Sequence, residues 1–325
     1  MDKVEYLYDE NGCLKSKIVK KTERIEQETE YYPNGQVKAS AEYLDNVLHG
    51  SYKEFDSNGI LREHSTWVNG RKWGMCATFF ENGRLECLEN LIGPESFEGI
   101  RLLFYPNGIV KEQATYKDGI EHGPFITRNK NGLVSEEGSY YYGELDGEYR
   151  IYYKNGQLRE KIDLYQGKRD GEYVAYYPNG QIKKQIEYID DMKDGDYCAY
   201  CEDGTPIVQM TYKHDYRVGS YRKFYPNGQV KLSAEYTQDI PSELHGDLRC
   251  YSESGQLLYI AKYDHGDKIV SIGWDQKETN EQMEQRADAL FEKTMLQIYE
   301  DEAQPRKITS HVTGQNISDC ENTRK

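Results

Sequence analysis

The eight letters YYPNGQIK at residues 176–183 recur almost unchanged in three other places: YYPNGQVK at 31–38, FYPNGIVK at 104–111 and FYPNGQVK at 224–231. They mark a longer period. Turn glycines stand at Gly12, Gly35, Gly59, Gly83, Gly108, Gly132, Gly156, Gly180, Gly204, Gly228 and Gly255, in steps of 23 to 27 residues and mostly 24. Nine of them have a second glycine nine positions upstream: Gly50, Gly74, Gly99, Gly123, Gly147, Gly171, Gly195, Gly219 and Gly246. Repetition on this scale restricts the chain to a stack of small similar units, each packing on its neighbours.

Within one period, apolar residues alternate after Pro-Asn-Gly, as in Val37, Ala39, Ala41, Tyr43 and in Val230, Leu232, Ala234, Tyr236. That is the period of a strand with one buried face. Before the turn lie aromatic runs such as GEYRIYY and GEYVAYY, also strand-forming. Tyr-Pro-Asn-Gly suits a type I turn: proline presets φ, and glycine takes the positive φ that closes a three-residue hairpin with a bulge. Each unit returns through a second turn such as Asn69-Gly70, Asp118-Gly119 or Tyr142-Gly143.

This geometry predicts that Tyr177 pairs with Gln181, Tyr176 with Ile182, Tyr152 with Leu158 and Phe224 with Val230. Joined to the alternating apolar residues of the second strand, these pairs define the expected buried face. The opposite face is then expected to carry Tyr149, Tyr173, Tyr197 and Tyr221, with Tyr105, Tyr153, Tyr177 and Tyr225. Such a tyrosine ladder serves either packing along the stack or the binding of a partner.

Thirty tyrosines against 8 Phe and 3 Trp supply rings with polar tips, while 37% hydrophobic and 30% charged residues argue against a large globular core. A net charge of −15 opposes nucleic acid or an anionic membrane as main partner and suits a basic protein. No apolar run reaches the roughly 20 residues that span a bilayer. The chain is expected to be cytoplasmic, and its seven scattered cysteines to be free thiols.

The unit G-x-Y-x-x-Y-Y-x-N-G-Q-[LIV]-K…Y-x-x-G-x-x-x-G, clearest from Gly147 to Gly195, resembles the variant MORN repeat of bacterial proteins. The resemblance implies an all-β repeat protein, an elongated antiparallel sheet of about 11 stacked β-hairpins over residues 1–273. It further resembles the YwqK-like family, which implies an antitoxin of a toxin–antitoxin system. At roughly 4.8 Å per strand such an array is on the order of 100 Å long. Three copies depart from the pattern, at Pro206, at Arg128 and in the lengthened stretch QDIPSEL before Gly246.

After the repeats the pattern changes to TNEQMEQRADALFEKTMLQIYEDEA. Thr279 and Gln282 form a capping box, and Met283, Ala287, Leu290, Thr294 and Ile298 follow helical spacing. A C-terminal α-helix is expected at 279–303, covering the last hairpin's edge or docking on the sheet or a partner. A disordered tail is expected at 304–325.

No catalytic constellation emerges. His49, His122 and His245 share the position before a repeat's first glycine, where other copies carry Asp or Val, and read as turn residues. His64, His214 and His265 fall on separate units. Phosphate loops, nucleophile elbows and paired CxxC motifs are missing, and Cys198 and Cys201 would point to opposite faces of a strand. No cofactor and no metal are therefore expected. The function expected is non-catalytic protein binding: neutralisation of a partner toxin, a basic nuclease for instance, or else a scaffold that also pairs with its own copies.

Overall fold

Each Pro-Asn-Gly copy folds the turn that its letters dictate. Tyr177 N–H donates to Gln181 O at 2.8 Å, and Gly180 N–H donates to Tyr177 O at 2.9 Å. Gly180 sits at φ 88°, where a β-carbon would be strained. Asn179 Oδ1 accepts the Gln181 N–H at 2.9 Å, holding the loop from inside.

These observations come from a computed structural model that describes residues 3–21, 24–91 and 98–273. The described chain is all β: 25 strands, with antiparallel pairing throughout. The expected helix at 279–303 and tail at 304–325 lie outside the described residues. The chain divides into two compact units, Met1–Leu158 and Arg159–Lys325.

Within a hairpin, the register near the turn is the one anticipated: Tyr176 faces Ile182 and Phe224 faces Val230. One position further on it slips. Ala175 faces Lys184, so Lys183 is an extra residue without a partner across the ladder. The same slip recurs at Lys38, Lys111 and Lys231. A bulge of one residue exchanges the two faces of a strand, because side chains alternate with period two. Ile182 therefore lies on the face opposite Lys184 and Ile186.

The return turns have their own irregularity, and it explains the first glycine of each period. Ile162 faces Tyr173 and Leu164 faces Arg169, so Asp163 alone spans three residues of the partner strand. The Asp163 carboxylate accepts the Glu172 N–H at 3.1 Å, and a β-carbon on Gly171 would meet Asp163 Cβ at 2.9 Å. Glu42 does the same for Ser51 N–H at 2.8 Å.

In the second unit, one row of paired residues across the strands forms the core: Ile162, Tyr173, Ile186, Tyr197, Met210, Tyr221, Ala234, Leu248 and Ala261. Tyr221 and Leu232 are each 1% exposed. Burial of side chains of this size contributes roughly 1.5–3 kcal/mol apiece. The equivalent row of the first unit is more polar and runs through Ala41, Tyr52, Ser65, Cys76, Glu89, Arg101, Ala114 and Phe125. Buried Ser65 donates to Glu63 and accepts from Trp67 Nε1, and Arg101 pairs with buried Glu112 at 3.5 Å.

Candidate interaction surface

The eight tyrosines singled out in the sequence fall into two sets, and neither forms an open ladder. Tyr149, Tyr197 and Tyr221 are 6, 5 and 1% exposed, and Tyr173 packs against the core cluster of the second unit. Their expected place on the open face is corrected: in the second unit the hairpin bulge puts Tyr173, Tyr197 and Tyr221 on the same face as Ile186, Met210 and Ala234, and in the first Tyr149 is buried with its ring 6.2 Å from that of Phe125. Tyr149 donates to Glu136 at 2.9 Å and Tyr173 to Glu160 at 3.3 Å, and burial pushes the Tyr173 phenol well above its ordinary value.

The second set forms rungs between successive turns. Tyr105 donates to Arg128 O, Tyr177 to Tyr200 O and Tyr225 to Tyr251 O, each at 2.8 Å. Tyr153, half-buried, holds the same place in its turn through its N–H to Gln157 O at 2.8 Å. The turn asparagines repeat the bond, Asn107 to Lys130 O and Asn227 to Glu253 O at 2.8 Å. Lys183 and Lys231, the bulge residues, place their ammonium groups 5.6 and 5.1 Å above the Tyr177 and Tyr225 rings. The eight-letter motif thus codes for a turn and for its bond to the next turn.

The aromatic surface left open lies at the return turns. In the first unit Ile120, Tyr141 and Tyr142 are 45, 54 and 48% exposed. The turn Tyr142-Gly143 takes positive φ at both residues, 49° and 86°, the two-residue form that matches strand twist. Gly143 N–H donates to Glu121 O at 2.8 Å, and Tyr142 N–H to His122 Nδ1 at 3.4 Å. Three rings consequently gather there: Tyr141 and Tyr142 at 4.9 Å, with His122 4.8 Å from Tyr142. Exposed Glu144 follows the turn in sequence, and the Lys117 ammonium lies 5.9 Å above the Tyr142 ring.

In the second unit the corresponding edge exposes Tyr165, Ile189 and Tyr216. Ion pairs of Lys168 with Asp190 at 2.9 Å and Arg169 with Asp191 at 2.8 Å lie between them. Sequence reasoning located these turns but not the residues beside them. The signal was present, since Tyr141, Tyr165 and Ile189 all stand nine residues after a turn glycine.

Two charged groupings remain. Around Arg101, burial and then the neighbouring Glu112 push the Glu121 carboxyl upward, while Tyr116 donates to it at 3.5 Å. Among the described residues, metal-type donors converge at His245, Asp264 and His265.

Segments 27–45, 48–69, 97–118, 145–166, 169–190, 217–238 and 244–265 match the MORN repeat variant family. The chain is a MORN-repeat protein. Each matched segment covers one hairpin and reaches its return turn. The departures at Arg128 and Pro206 fall between matched segments, yet fold with the same register, Arg128 facing Val134 and Tyr200 facing Pro206. No curated protein matches this MORN-repeat chain.

Solved structures similar to it include the crystal structure of TcdB2-TccC3-Cdc42, at 10% identity and TM-score 0.20, over 84% of this chain and 17% of that one. The Tc holotoxin pore of Photorhabdus luminescens is similar at 11% identity and TM-score 0.19, over 84% and 18%. A porin-like protein from Bacteroides uniformis follows at 8% identity and TM-score 0.13, over 82% and 92%. The MORN-repeat protein spans under a fifth of the toxin-complex chains, and at these TM-scores the likeness carries no argument.

Proposed function

We propose that this MORN-repeat protein acts by binding another protein rather than by catalysis. Its partner is a basic protein that it neutralises, in the manner of the antitoxins that its repeats resemble. The observation that carries the reading is the exposed row at the return turns, above all the ring cluster of Tyr141, Tyr142 and His122. Tyrosine is enriched in interface centres because it offers large rigid contact area with a hydrogen-bonding tip. The net charge of −15 attracts a cationic partner and speeds encounter at low salt.

The test is affinity capture with the tagged chain, alongside two variants, Tyr141→Ser with Tyr142→Ser and Tyr165→Ser with Tyr216→Ser. The reading expects one stoichiometric basic partner, toxic when expressed alone and rescued by co-expression. Capture should fall at least tenfold in one of the variants. A partner that is harmless alone would remove neutralisation and leave a scaffold. Undiminished capture by both variants would remove the return-turn edge as the binding surface.

A further inference from the structure

Four copies use the residue before the first glycine in one way. Its side chain accepts the N–H of the next return turn, 20 residues on: Asn69 N–H to His49 Nδ1, Tyr142 N–H to His122 Nδ1, Asp190 N–H to Asp170 Oδ2 and His214 N–H to Asp194 Oδ2, at 3.2 to 3.4 Å. In these copies the residue before the turn is Val68, Tyr141, Ile189 or Lys213. None of these is a ligand for a divalent cation.

The last copy departs from this at the residue before the turn, where it carries Asp264. Here the residues are His245, Asp264 and His265. His245 Nδ1 lies 3.3 Å from Asp264 Oδ1, and His265 Nδ1 lies 2.8 Å from the same oxygen. The imidazole rings stand 5.1 Å apart, and the three donor atoms lie within 4.8 Å of one another. We propose that His245, Asp264 and His265 form a binding site for a divalent transition-metal ion.

The geometry suits such an ion. Tetrahedral ligands about 2.1 Å from zinc stand roughly 3.4 Å apart. The separations of 2.8 and 3.3 Å lie below that value, so the exposed side chains need only spread slightly to admit the ion. Two imidazole nitrogens and one carboxylate oxygen select zinc, nickel or copper over calcium and magnesium, which favour oxygen alone. The backbone holds the donors in place. Gly266 N–H donates to Leu244 O at 2.8 Å, His245 N–H donates to Glu235 O at 2.9 Å, and Thr237 N–H donates to Glu243 O at 2.8 Å.

Three protein ligands leave a position open for water or a further group. Exposed Glu243 stands at the same corner, its carboxylate 3.9 Å from where a β-carbon on Gly266 would lie. A bound ion would clip the lengthened loop at 237–245 to the turn at 264–267. The lengthened copy is thus the one whose loop gains a cross-link that hydrogen bonding alone supplies elsewhere.

Zinc titration of the full chain, followed by calorimetry after chelator treatment, tests the site. Wild type and a His49→Gln, His122→Gln variant should each bind one saturable equivalent with micromolar Kd. Binding should weaken at least tenfold in His245→Gln and in Asp264→Asn. His265→Asn should do the same while keeping the turn, because asparagine tolerates the φ of 47° found there. All three substitutions are at exposed positions, and an unchanged circular dichroism spectrum verifies the fold. The proposal is overturned if wild type shows no saturable equivalent, or if the equivalent survives with unchanged Kd in His245→Gln and Asp264→Asn.

Discussion

Replacing Tyr177 and Tyr225 by phenylalanine separates packing from partner binding at the turn tyrosines. Each loses one O–H···O=C bond of 2.8 Å, to Tyr200 O and Tyr251 O. The rings remain, so no cavity opens, and the lysines above them keep an aromatic face. A neutral hydrogen bond of this kind contributes about 1 kcal/mol net. The two rungs are 48 residues apart in sequence and use different carbonyls, so their losses should add to about 2 kcal/mol. Urea unfolding followed by circular dichroism reads this as a lower midpoint at unchanged slope. Tyr165→Phe, at a residue 59% exposed, serves as control and should leave the midpoint in place. A double variant within about 0.3 kcal/mol of wild type, well under the loss expected for two bonds, would refute the rung reading. If it also lost its partner, those hydroxyls would belong to the interface.

Three further outcomes follow from the same geometry. Gly180→Ala, where a β-carbon meets nothing within 4 Å, should cost only the backbone strain of about 1–2 kcal/mol, whereas Gly171→Ala adds the 2.9 Å clash with Asp163 and should cost more, both read from thermal midpoints. Leu232→Ala, at a site 1% exposed, should cost about 2–5 kcal/mol in denaturant unfolding. Glu121→Gln should stabilise the protein at neutral pH, because burial and then Glu112 raise the folded-state value of that carboxyl. Its advantage over wild type should be full at pH 7 and close as pH falls through the raised value toward the ordinary glutamate range near about 4.3, since only the charged form is penalised. An advantage that did not close on acidification would rule out that origin.

Most of the repeat was legible in the sequence because its signals are local. Period, hairpin turn and the pairing of Tyr176 with Ile182 all follow from a few adjacent residues with fixed conformational preferences. The assignment of faces was not, because it hangs on a single extra residue. Lys183 reads as an ordinary polar strand position, yet its bulge carries Tyr173 and Tyr197 into the core. The clustering of His245 with His265 was also hidden, being a contact between two turns 20 residues apart in sequence. His49 and His122 did serve as turn residues, as their shared position suggested. Asp163, Glu187 and Glu235, seven residues after their turn glycines, carried a readable hint of where the chain crosses the next glycine.

The bulge that recurs from hairpin to hairpin also bears on how such a chain can change length. In an ordinary meander, inside and outside are inherited along the strands, so one inserted residue inverts everything downstream. Here the phase is set anew at each turn. The step from Gly228 to Gly255 is 27 residues, three more than usual, yet Leu248 occupies the buried place that Tyr221 holds one copy earlier. Whole copies can be gained or lost, and loops between them can grow, while each remaining hairpin still knows which side is in. Variation is thereby steered to the return turns, the edge where the exposed tyrosines and the histidine pair already differ from copy to copy.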